Sequence, residues 1–173
     1  MRQIPIIAFA MILSITLTTA GLPLLAQPPE STLFFKHQVP LHSTGSGSLT
    51  VSATIGDAGA EFLVDTGASM VTVDRDLFRT LSRHTDYQKK RSVAARMANG
   101  KVQLLDVYLI EHFYIGGDCD LGPLEIAVEQ SGGRNLLGMN ALLRAAPFSF
   151  SIEPPMLGLT SCSSDPLQAV NSD

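Results

Sequence analysis

The sequence predicts a mainly β domain carrying one or two short helices, on three observations. Apolar and polar residues alternate in short runs, Gly, Pro and Asn-Gly punctuate those runs, and no long amphipathic helix separates them. "QPPESTLFFKHQVPLHSTGSGS" opens as a proline-rich spacer, holds a short strand at Leu33 to Val39, and closes in a glycine–serine loop. From there Leu49, Val51, Ala53 and Ile55 fall on one strand face, with Thr50, Ser52 and Thr54 opposite. "GDAG" (Gly56 to Gly59) is turn chemistry and returns the chain as a second strand, Ala60 to Val64, which ends at Asp65. "MVTV" is a further strand, and Asp74 caps a short helix in "DRDLFRTLSRH".

The second half repeats the pattern. Asn99-Gly100 joins two long arms, Ser92 to Met97 and Lys101 to Ile110, because both turn residues tolerate positive φ. "EHFYIGG" and "LGPLEIAVEQ" read as strands. "NLLGMNALLRAA" reads as a strand that stops at Gly138 and becomes a helix. "FSFSI" and "MLGLT" finish the fold on either side of Pro154-Pro155.

Composition narrows the function. With 173 residues the chain has length for one domain with a genuine core, and 45% apolar residues with 14 glycines suit a turn-rich compact protein. A net charge of −4 gives no footing for nucleic acid. The basic triplet Lys89, Lys90 and Arg91 reads as a solvated loop. Residues 4–26, "IPIIAFAMILSITLTTAGLPLLA", follow Arg2 without a single charge. That pattern is a cleaved export signal or, uncut, a membrane tether, and both place the domain outside the cytoplasm, either secreted or held at the inner membrane. An oxidising compartment permits a bridge between Cys119 and Cys162; two separate thiols, with Cys162 exposed, is the alternative.

Most catalytic chemistries lack their residues. His37, His42, His84 and His112 are scattered without metal-ligand spacing, so no metal site and no cofactor is expected. No G-x-S-x-G elbow presents a serine nucleophile. What stands out is "FLVDTGASMVTVD": an apolar strand that delivers one carboxylate, Asp65, into Thr66, Gly67, Ala68 and Ser69. A buried, unpaired carboxylate is costly, so the acid needs a partner or an exposed turn.

The order of these parts resembles the retropepsin family (clan AA) of aspartic peptidases, as a bacterial-type, single-domain, exported member. It runs from the hairpin into "FLVDTGAS", through a long hairpin tipped by "ANG", to "NLLGMNALL" and closing strands, and spans about Leu49 to Thr160. The resemblance implies a closed acid-protease barrel at 44–162, after a signal or anchor (1–26) and a spacer (27–43), and before a flexible tail (163–173). It implies Asp65 as the catalytic acid, with Thr66, Gly67, Ala68 and Ser69 supporting it. Gly67 would let the backbone turn sharply and bring its amide to the carboxylate. Ala98, Asn99 and Gly100 would tip a flap that closes over extended peptide, and Leu136, Leu137 and Gly138 would pack beneath the active loop.

One D-T-G in so short a chain implies a homodimer, in which Asp65 of each copy shares a proton with the other and activates a water to cut a polypeptide. Ala68 has no hydroxyl to donate to the ionised acid, which implies an optimum in mild rather than strong acid. Three other readings compete. The same barrel serves as a catalytically inactive binding or assembly module of the cell envelope. A phosphate-binding D-x-G-[ST] of the sugar-kinase and actin type needs a hydroxyl where Ala68 stands and a much longer chain. In the plainest reading Asp65 only caps a turn.

Overall fold

The computed structural model describes residues 35–83, 86–130 and 132–163, all within one compact unit, 33–173. The apolar run 4–26 and the tail beyond Ser163 lie outside the described residues.

Short strands follow one another with little helix between them. β1 (His37–Pro40) and β2 (His42–Ser43) lead through a Thr44–Ser48 turn into β3 (Leu49–Ile55). β3 buries Val51, Ala53 and Ile55 and exposes Ser52, the alternation read from sequence. A turn at Gly56, with φ +55°, returns the chain as β4 (Ala58–Val64), two residues earlier than the sequence suggested. β5 (Val71–Asp74) ends where Asp74 caps α1 (Arg75–Leu81), its carboxylate accepting from Leu77 N at 2.7 Å.

β6 (Tyr87–Arg96) and β7 (Val102–Ile110) form the long hairpin, followed by β8 (Phe113–Ile115), β9 (Cys119–Asp120) and β10 (Leu124–Glu129). β11 (Leu136–Leu137) gives way at Gly138 to α2 (Met139–Arg144). β12 (Phe148–Ile152) and β13 (Pro155–Leu159) complete the set.

Two sheets arise among the described residues. The larger runs β6-β7-β10-β5-β11-β4-β3-β8-β9, with β2 alongside β3; the smaller runs β1-β13-β12. Near the centre, β11 enters between β4, which it meets in parallel, and β5, which it meets antiparallel. The loop from β4 to β5 therefore has to cross the end of β11, and Asp65 stands at the start of that crossing. The core beneath it consists of fully buried Val51, Phe62, Val71, Val73, Ile126, Leu137 and Leu142, with Phe62 edge-on to Phe113 at 5.5 Å.

Some expectations require correction. The arm expected from Ser92 begins at Tyr87, so Lys89, Lys90 and Arg91 lie in a strand and not in a loop. Two of the three bind carboxylates on neighbouring strands: Lys89 reaches Asp106 on β7 at 2.8 Å, and Arg91 reaches past β7 to grip Glu125 on β10 with both terminal nitrogens at 2.6 and 2.7 Å. The first strand starts at His37 rather than Leu33, which itself lies outside the described residues. At the hairpin tip only Gly100 has positive φ, +80°. Asn99 acts through its side chain, which accepts from Lys101 N at 3.0 Å, because the connection from Arg96 to Val102 is longer than a two-residue turn. Cys162 is not an exposed thiol. It is buried and joined to Cys119, with Cα atoms 5.2 Å apart.

Candidate active site

The Asp65 loop is held from below by main-chain bonds to distant parts of the chain. Leu63 N donates to Asn135 O at 2.8 Å and Asp65 N to Leu137 O at 3.1 Å, extending the β4–β11 ladder up to the acid. Beyond it the loop meets α2. The first amides of a helix have no partner within the helix, and Gly138, at the cap position, has no side chain to supply one. Met139 N instead donates to Ala68 O at 2.8 Å, and Asn140 N to Ser69 O at 3.1 Å. The helix start and the loop thus satisfy each other.

Two glycines make this contact possible through space rather than through unusual backbone angles. Neither Gly67 nor Gly138 has positive φ. A Cβ on Gly138 would lie 2.2 Å from Met70 O, so only glycine lets β11 pass under the loop. At Gly67 a Cβ would come within 3.1 Å of Asp65 Oδ1. Its amide donates to that same oxygen at 2.8 Å, so the expected amide–carboxylate approach forms, and Ala68 N donates to Asp65 O at 3.2 Å, closing the tight turn over Thr66-Gly67 without a positive φ. Leu137 is fully buried beneath the loop, whereas Leu136 is only half-buried.

Two asparagines that the sequence reading passed over complete the frame. Asn140 Oδ1 accepts from Val71 N at 2.8 Å and Ala141 N at 3.0 Å, and its Nδ2 donates to Glu125 O at 2.8 Å, tying α2 to β5 and β10. Asn135 Oδ1 accepts from Asp74 N at 2.9 Å. The signal for both is their place beside the apolar pair in "NLLGMN", where a half-buried amide has main-chain groups to satisfy.

A cleft of ≈ 480 Å³ opens beside the acid, lined by Gly47, Ser48, Leu49, Leu63, Val64, Asp65, Thr66 and Phe150. Asp65 is half-buried at its edge, while Thr66 and Ser69 face solvent. Ala98, Asn99 and Gly100 do not line this cleft. They form the exposed hairpin tip, where Gly100 N donates to Met97 O at 2.8 Å. A second concavity of ≈ 370 Å³ lies between the Thr44–Ser48 turn and Asn135, with Glu61, Asp74 and Arg134 in its wall. The bond from Ser52 Oγ, helped by His42, holds the Glu61 carboxyl below its ordinary range.

The site can be set beside known proteins. A retropepsin-like aspartic protease from Rickettsia conorii superposes with a TM-score of 0.52 at 18% identity, over 71% of this chain and 90% of that one. At that identity the likeness establishes the retropepsin-like fold. No curated protein matches the chain. The family model described as "gag-polyprotein putative aspartyl protease" matches residues 51–144, from β3 through α2, which includes the Asp65 loop and is more than half of the sequence. The chain belongs to this retropepsin-like aspartyl protease family.

Proposed function

We propose that the protein is an aspartic endopeptidase whose working unit is a homodimer, with Asp65 of each copy forming the catalytic pair. The observation that carries this reading is the placement of one carboxylate, oriented by the Gly67 amide, on a braced loop at an open cleft. A single carboxylate so exposed lacks the like-charged neighbour that makes an acid and a base of two identical groups. Across a twofold axis, one Asp65 would take a proton from water as the oxygen attacks the peptide carbonyl. The other, protonated, would hydrogen-bond that carbonyl, and the amide nitrogen would leave with a proton. Thr66, Gly67, Ala68 and Ser69 would hold the acid, and Ala98, Asn99 and Gly100 would close over the substrate.

The test compares wild type with Asp65→Asn on casein and a peptide library across pH. Turnover should fall by about three orders of magnitude or more, because the substitution removes both acids of the pair at once. Equal turnover by both proteins would end the assignment, and a profile peaking in strong acid would contradict the role given to Ala68. An exported location, with residues 4–26 as a signal or tether, is part of the same proposal. The buried Cys119–Cys162 bridge supports it, since such bonds persist in oxidising compartments.

A further inference from the structure

We infer that Arg134 selects the substrate: its guanidinium receives a carboxylate side chain, aspartate or glutamate, two or three residues from the bond that is cut. The inference rests on the peptidase reading above and names the class of peptide acted on.

β4 sets the geometry. Side chains of a strand alternate between faces, so Glu61, Leu63 and Asp65 stand in file on one face, with buried Phe62 on the other. Leu63 and Ser48 line both the cleft that holds Asp65 and the second concavity, so the two openings share a wall. Leu63 and Glu61 lie roughly 7 and 13 Å along the strand from Asp65, at about 3.3 Å per residue. An extended peptide has the same rise. With its scissile bond at Asp65, its second or third side chain reaches the second concavity.

The charges in that wall are not equally available. Glu61 is already engaged, since one oxygen accepts from Ser52 Oγ and the other meets His42 Nδ1 at 3.4 Å. Asp74 Oδ1 accepts from Leu77 N at 2.7 Å. The Arg134 guanidinium, by contrast, makes no hydrogen bond or ion pair among the described residues. Its planar fork of N–H groups matches a carboxylate through two parallel bonds.

The backbone holds Arg134 in place. Gly132 turns the chain with φ +77°, and the Glu129 carboxylate lies against Gly133, where a Cβ would find no room. On the other side Asn135 is pinned twice: its O accepts from Leu63 N at 2.8 Å and its Oδ1 from Asp74 N at 2.9 Å. The guanidinium therefore extends from a fixed point. In a homodimer the concavity occurs twice about the twofold axis, so acidic residues are favoured on both sides of the cut.

The experiment uses the full-length chain in mild detergent. Peptides are varied at the second and third positions on each side of the cleaved bond, with glutamate, glutamine or lysine. Wild type should cut a glutamate peptide with about tenfold higher kcat/KM than its glutamine twin, chiefly through KM. In Arg134→Gln the ratio should fall to about one, in Arg134→Lys it should persist in part, and Arg134→Glu should favour lysine. Arg79→Gln, on the exposed side of α1, should keep the wild-type ratio. The preference should also fade as the pH falls through about 4, where the substrate carboxylate takes up a proton. Fluorescent versions of the same peptides, titrated into Asp65→Asn, read recognition without cleavage.

A wild-type ratio of one, or a ratio that Arg134→Gln leaves unchanged, overturns the inference; cleavage that still depends on Asp65 then keeps the peptidase reading. A lysine preference lost in Glu61→Gln also overturns it, because the concavity would then belong to cations. If wild type and Asp65→Asn do not differ in turnover, the catalytic reading falls. In that case tighter binding of the glutamate peptide, abolished by adding Arg134→Gln, would still bear out the assignment, and equal binding of all three peptides would end it.

Discussion

Removing the Asn140 side chain should loosen the Asp65 loop by an amount that its bonds allow to be worked out. In Asn140→Ala the amide of Val71, a fully buried residue, loses its acceptor at 2.8 Å, and Glu125 O loses a donor at the same distance. Ala141 N keeps a partner, since Gly138 O also accepts from it at 3.2 Å. A buried N–H left unpaired costs about 1–3 kcal/mol, and a carbonyl stripped of one of two donors costs less. The sum is about 2–3 kcal/mol, which for a domain of this size lowers Tm by about 8–12 °C. Asn140→Asp keeps both acceptor bonds but sets an oxygen in place of the donor, facing Glu125 O, so it should cost at least about 1 kcal/mol while still holding the Val71 amide. Calorimetry measures the two shifts, and hydrogen exchange at the Val71 amide should accelerate in the alanine variant alone. An alanine variant melting within about 2 °C of wild type, or a Val71 amide that exchanges as fast in the aspartate variant as in the alanine one, would refute the assigned bonds.

Gly138→Ala should be worse than its single methyl suggests, because the new carbon would meet Met70 O; we expect a loss of about 3 kcal/mol or more by urea unfolding. Replacing both cysteines, Cys119→Ser with Cys162→Ser, frees a closure spanning 43 positions and should cost up to about 4 kcal/mol, read as a lower urea midpoint. The bonds from Arg91 to Glu125, and from Lys89 and Ser92 to Asp106, hold both carboxyls below their ordinary values of 4.5 and 3.8. Their folded pKa values are depressed, so their contribution is whole above those values and is lost as the pH falls below them. Exchange protection in β6 and β7 should therefore drop below about pH 4, and Arg91→Gln should flatten that drop.

Legibility in the sequence followed solvent exposure. Where a strand has one face in the core and one in water, as β3 does, the alternation of Val51, Ala53 and Ile55 with Ser52 discloses it. β6 is exposed along nearly its whole length, so Tyr87 to Arg91 show no such rhythm and their strand escaped notice. Asp65 was conspicuous because an acid after three apolar residues is rare. Its scaffold was not, because Asn140 and Asn135 act on main-chain groups 69 and 61 positions away, and local pattern holds no record of such pairings. The inward packing of Cys162 was hidden for the same reason, as it depends on β9, far upstream.

The insertion of β11 between β4 and β5 has a consequence for biosynthesis. A ribosome releases Asp65 long before it makes Leu136, Leu137 and Asn140, the residues against which the loop is set. Until those arrive, β4 and β5 have a gap between them and the carboxylate has no fixed bearing, and contacts so remote along the chain close late. A nascent polypeptide, or a fragment cut short before residue 136, therefore cannot hold the acid in its aligned position, and the site takes shape only after Leu136 to Asn140 have left the ribosome.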